Sequence, residues 1–188
     1  TDDYKFSVEK KDSIKTLLLA LWKGEDEKIT KTESGELGSA VSAYIRRIQQ
    51  NRDIAPSFDT FYEYMLNDYR KELAARDIKV SREDFNIDNF LTTLRQYYKG
   101  GRYDFLLNSP SEIDLLSKRF IVFEIDAIKD NKELFPIVTI VLMEVFINKM
   151  RRLKGTRKML IIEEAWKALA SNNMASYVQY LCAPVQAA

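Results

Sequence analysis

The chain has 188 residues, 46% of them apolar and 30% charged, with 29 Lys and Arg against 28 Asp and Glu for a formal charge of +1. That length buries a proper core in one large or two small domains, and the near-zero charge gives no general pull toward nucleic acid. There is no histidine and a single cysteine, Cys182. Histidine-based nucleophile systems, histidine zinc sites, histidine general bases and an internal disulfide are therefore excluded, and any chemistry rests on carboxylates, Lys, Arg or Tyr.

Four stretches in the first hundred residues carry helical periodicity. Ile14, Leu17, Leu18, Leu21 and Trp22 make the first one-faced helix, with Ser7 as N-cap and Gly24 as its end. "GEDEKITKTESGE", residues 24–36, reads as a polar surface connector. Leu37, Val41, Tyr44, Ile45 and Ile48 form the second face. Pro56-Ser57 opens the third, which runs through Phe58, Phe61, Tyr62, Met65, Leu66, Tyr69 and Leu73. Ile87, Phe90, Leu91, Leu94, Tyr97 and Tyr98 form the fourth. Residues 1–100 are expected to be an all-α subdomain, joined at Gly100-Gly101 to a second part of different character.

That second part, residues 101–188, reads as α/β. "KRFIVFEID", residues 118–126, is a β-rich run of strand length. Residues 133–153 are apolar nearly all round and predict a buried crossover helix; Glu144, Asn148 and Lys149 argue against a membrane span, which needs about 20 apolar residues. "RKMLIIEEAW", residues 157–166, supplies a second strand and 167–181 a terminal helix or two. Strand, helix, strand at this spacing predicts parallel neighbours at 119–125 and 158–162 with a right-handed crossover. Ligands of such sheets bind beyond the carboxyl ends of the strands, where Asp126, Glu163 and Glu164 lie in the sequence. Each feature has a plainer reading beside it. The acids suit a helix N-terminus, the basic run 149–158 suits a helix C-terminus, and the tyrosines of "QYYKGGRYDF" suit a core rather than a single-strand platform.

Four apolar residues followed by Glu163-Glu164 resemble the acidic element of P-loop nucleotide hydrolases. More widely, "FIVFEIDAIKDNKELFPIVTIVLMEVFINKMRRLKGTRKMLIIEEAWKAL" resembles the TraG family of conjugation ATPases, the motors of type IV secretion systems. "SVEKKDSIKTLLLALWKG", "NFLTTLRQYYKGGRYDFLLNS" and "NMASYVQYL" are similar to further stretches of that family, from about Phe6 to Leu181. The resemblance implies a RecA-like ATPase: a partial parallel sheet with flanking helices plus an all-α subdomain. It implies ATP and magnesium (Mg2+) in the intact protein, with Glu164 as general base, Glu163 on the magnesium through water, and Asp126 near the nucleotide edge. It also implies a homo-oligomeric ring, a hexamer, on the cytoplasmic face of the bacterial inner membrane, working with type IV secretion and conjugation proteins. The family's phosphate loop, G-x-x-x-x-G-K-[ST], does not occur in the sequence, and the first residue is not Met. A C-terminal portion of the motor, inactive alone and without bound nucleotide, is therefore expected. The rival readings are a non-catalytic helical interaction module and a DNA-pumping P-loop translocase, with direct DNA contact left open.

Overall fold

The computed structural model describes residues 8–23, 27–108, 115, 117–131, 133–153, 155–161 and 163. They fall into two compact units, one of residues 1–22 and 28–110, the other of 23–27 and 111–188.

The first unit is built of helices. Helix α1 spans Val8–Trp22, α2 Lys31–Gln50, α3 Phe58–Tyr64, α4 Arg70–Ala75, α5 Ile87–Leu94 and α6 Asp104–Leu107. A π-helical turn, Met65–Tyr69, joins α3 to α4 without leaving helical backbone. Each early start has a chemical cause. Thr30 and Glu33 form a reciprocal capping box, Glu33 N donating to Thr30 Oγ1 (3.1 Å) and Thr30 N to Glu33 Oε2 (2.9 Å). Half of the segment read as connector is thereby the first turns of α2. Ser57 and Thr60 cap α3 in the same reciprocal way, and Asn86 accepts from Asn89 N to start α5 (2.9 Å).

The core of this unit is aromatic. Trp22 stands edge-on to Phe85 (5.6 Å) and Phe90 (5.3 Å), and its Nε1 donates to Asn89 Oδ1 (2.7 Å), locking the end of α1 to α5. Tyr62 donates to the Leu91 carbonyl (2.8 Å), which ties α3 to α5. Phe90, Leu94, Leu37, Ala40 and Met65 are fully buried. The Gly100-Gly101 turn lies within the unit: Gly100 has φ +76°, and a Cβ on Gly101 would sit 2.5 Å from the Gln96 carbonyl oxygen. Tyr103 N reaches back to that same carbonyl (2.8 Å).

In the second unit, α7 spans Leu134–Arg152. Asn131 Oδ1 accepts from Glu133 N and Leu134 N (3.0 Å each), and Pro136 sits harmlessly in the first turn. Among its described side chains Leu134, Ile137, Thr139, Ile140 and Met143 are buried and the others half-buried. No helix among the described residues is long and apolar enough to cross a membrane.

The expected α/β architecture is overturned: the described residues contain no strand and no sheet, and are helical or irregular. Residues 119–125 and 157–161 have no regular secondary structure and no backbone hydrogen bonds to each other, so among the described residues there is no parallel ladder, no crossover and no RecA-like sheet edge. Phe120 is 86% exposed and Ile161 76%, with Val122 and Met159 similarly open. The physical reason is that β-branched and aromatic runs record fitness for a pleated surface, not the presence of a neighbour to pair with. Two strands alone are marginal even when adjacent, because their pairing must offset the ordering of both backbones.

Candidate functional site

Asp126 follows Ile125 at the point where residues 119–125, without regular structure, lead into a short 3₁₀ helix, Asp126–Ile128. Its side chain is exposed, with Lys129 Nζ at 3.5 Å one turn on. Glu163 lies in a turn and is also exposed. Glu164, the residue on which hydrolysis would turn, lies outside the described residues, as do the expected terminal helices, Trp166 and Cys182.

No group of three acidic or thiol side chains converges among the described residues to hold a metal by itself. The donor chemistry nevertheless suits magnesium. That ion takes oxygen ligands, keeps several waters, and is held by one or two carboxylates together with substrate phosphates rather than by a protein cage. Asp126 and Glu163 are exposed carboxylates of this kind. What the sequence does not provide is the backbone cradle for those phosphates, since none of its six glycines has the phosphate-loop spacing.

Lys149, in the last turns of α7, donates to the Leu115 carbonyl (2.6 Å) and to that of Lys118. The basic stretch at the end of α7 thus spends one of its ammonium groups on the chain just before residues 119–125. Gly155, with φ +74°, then turns the chain beyond the helix end.

The strongest electrostatic perturbations lie in the first unit, and sequence reasoning missed the network behind them. Tyr69, 1% exposed, donates to the Glu36 carbonyl (3.1 Å) and Oε2 (3.0 Å) and accepts from Arg76 Nη2 (3.0 Å). Arg76 Nη1 closes the ring on Glu36 Oε2 (2.8 Å). Burial and the Glu36 carboxylate push the Tyr69 hydroxyl up to about 12. Burial and Glu72 push Tyr64 up as well, and burial raises Tyr62. At the surface, Lys99 and Tyr98 hydrogen-bond Glu63 and hold its carboxyl below the usual range. Tyrosines displaced upward keep their protons at neutral pH, so these hydroxyls stand as hydrogen-bonding groups between helices. The only sequence signal for the ring was Tyr69 itself, which fits the apolar face of the third helix and conceals its polar end.

The family model described as the TraG P-loop domain matches residues 1–187. Comparison with curated proteins and with solved structures gives no match. The chain belongs to the TraG P-loop domain family.

Proposed function

We propose that this TraG P-loop chain is part of a motor that hydrolyses ATP to drive assembly of, or transport through, a conjugative type IV secretion apparatus. The observation that carries the reading is a family match over essentially the whole chain, together with the apolar run that ends in Glu163-Glu164. Glu164 accepts the proton of the attacking water, which a carboxylate in hydrogen-bond reach does efficiently. Glu163 would hold magnesium through water, and Asp126 would lie toward the nucleotide edge. Magnesium, when bound, spreads and neutralises charge on the β- and γ-phosphates. The phosphate cradle comes from a segment other than these 188 residues, because the sequence holds no such loop. The motor works as a homo-oligomeric ring at the inner face of the bacterial inner membrane, among the other conjugation proteins.

The test uses a protein in which this chain is joined to a phosphate-loop segment. Glu164→Gln keeps the shape of the side chain but cannot take the proton. Phosphate release is expected to fall at least about 100-fold while ATP affinity changes little. Turnover near that of the unchanged protein would remove Glu164 from the role of base.

A second reading has its own support. The first unit closes a complete aromatic core without the acidic segment, as a helical module for protein contacts would. The two readings are compatible within one motor.

A further inference from the structure

Between α4 and the start of α5 lies an open cleft of about 230 Å³. Its lining divides by chemistry. Arg70, Lys79 and Arg82 supply three cations against the single carboxylate of Asp88, while Leu73, Val80 and Ile87 supply apolar wall. Asp88 is shared: Oδ1 pairs with Arg70 and Oδ2 with Arg82 (3.2 Å). The adjoining loop carries three more acids, Asp77, Glu83 and Asp84, none of them part of the lining; Asp84 accepts from Ser81 Oγ (2.6 Å). The rim is free to meet a partner, since Arg82 has 85% of its side chain in solvent and Ile78, beside Lys79, is 85% exposed.

We propose that this cleft is a docking site for a peptide segment of a partner protein in which apolar residues alternate with acidic ones. The apolar groups rest on Leu73, Val80 and Ile87, and the partner's carboxylates share the two arginines that Asp88 alone now holds. Guanidinium forks recognise carboxylates in this paired fashion, with direction as well as charge. The volume lies below the roughly 300–1,000 Å³ of small-molecule sites, so one or two side chains fit and a cofactor does not. Single-stranded nucleic acid is disfavoured because the cleft's one ring, Phe85, is 4% exposed and packed against Trp22, leaving no face for a base to stack on. The site is independent of the nucleotide reading, uses none of its residues, and stands or falls separately.

The experiment titrates the full 188-residue chain, isotopically labelled, with an end-capped octapeptide of alternating leucine and glutamate. Amide shifts should saturate and cluster at Lys79, Val80, Arg82 and Ile87. Peptides with lysine in place of glutamate, or serine in place of leucine, should bind at least tenfold more weakly. Arg82→Glu should weaken the leucine–glutamate peptide by tenfold or more, and Arg82→Lys by much less. Asp88→Asn, which releases both guanidiniums, should tighten it severalfold, an outcome that a merely structural role for Asp88 would not produce. Shift mapping on the unaltered chain decides even if a variant unfolds. The proposal is overturned if no saturable shift appears up to millimolar peptide, if the shifts map elsewhere, or if tripolyphosphate or a single-stranded oligonucleotide takes the same residues more tightly.

Discussion

The Tyr69 hydroxyl sits at the middle of a closed ring of hydrogen bonds with Glu36 and Arg76, in a place where its own side chain is 1% exposed. Tyr69→Phe leaves Glu36 and Arg76 paired with each other but removes a hydroxyl bonded to both, and bonds to charged groups are worth about 1.5–3 kcal/mol. Chemical denaturation should show a loss of that order. The same hydroxyl governs alkaline behaviour. The folded state holds the Tyr69 proton up to about pH 12, whereas an unfolded tyrosine loses it near 10. The folded chain therefore binds more protons across that window, so its stability is fully present below pH 10 and declines as pH rises toward 12. Tyr64 and Tyr62, both displaced upward, act in the same direction. Denaturation midpoints should fall from pH 10 to 12, with a smaller fall for Tyr69→Phe; a flat profile would contradict the buried ring. Gly101 supplies a second residue-scale test. Ala at this position would place its Cβ 2.5 Å from the Gln96 carbonyl oxygen, a backbone atom that cannot easily yield. Gly101→Ala should cost more than about 1 kcal/mol, read as a lower thermal midpoint.

At the scale of elements, helices were legible because their signals are local. The 3.6-residue periodicities place α1, α2, α3 and α5 where helices stand, and residues 133–153 coincide with α7 within a residue or two. The start of α2 was less plain: Thr30-x-x-Glu33 is a capping box, but the surrounding polar residues made it read as loop. Thr30→Ala should cost about 1 kcal/mol, measurable as lost helicity on heating. Strands were misread for the opposite reason, since a strand exists only with a partner that its own residues do not name. Residues 119–125 have the composition of an interior strand, yet Phe120 and Val122 are 86% and 71% exposed. Two substitutions separate composition from environment. Phe120→Lys with Val122→Lys should change stability by less than about 0.5 kcal/mol, as at open surface, and should reduce self-association seen by light scattering. Burial of those side chains in a core would instead show as a loss of several kcal/mol.

At the scale of the whole molecule, the family match points to a nucleotide-hydrolysing parent, while the sequence holds no cradle for the phosphates. The proposed site is read from a motif, four apolar residues before two acids, which is a pattern of adjacent positions. Its geometry is not legible in the sequence, because Asp126 and the Glu163-Glu164 pair belong to separate parts of the chain. Asp126 and Glu163 are exposed, and in the proposed site each would bring negative charge toward a nucleotide that is already polyanionic. Without a backbone cradle and a lysine on the β- and γ-phosphates, that repulsion is not compensated by the protein. The purified chain should therefore release no phosphate from ATP above a no-protein control in the presence of magnesium, and should not bind a fluorescent ATP analogue below millimolar concentration. Joining a phosphate-loop segment should confer both binding and turnover, and Glu164→Gln in that joined protein should keep the first while losing the second. Turnover by the chain alone, persisting when contaminating ATPases are removed, would mean that some other set of its residues cradles phosphate and that the division of labour argued for Glu163 and Glu164 is wrong.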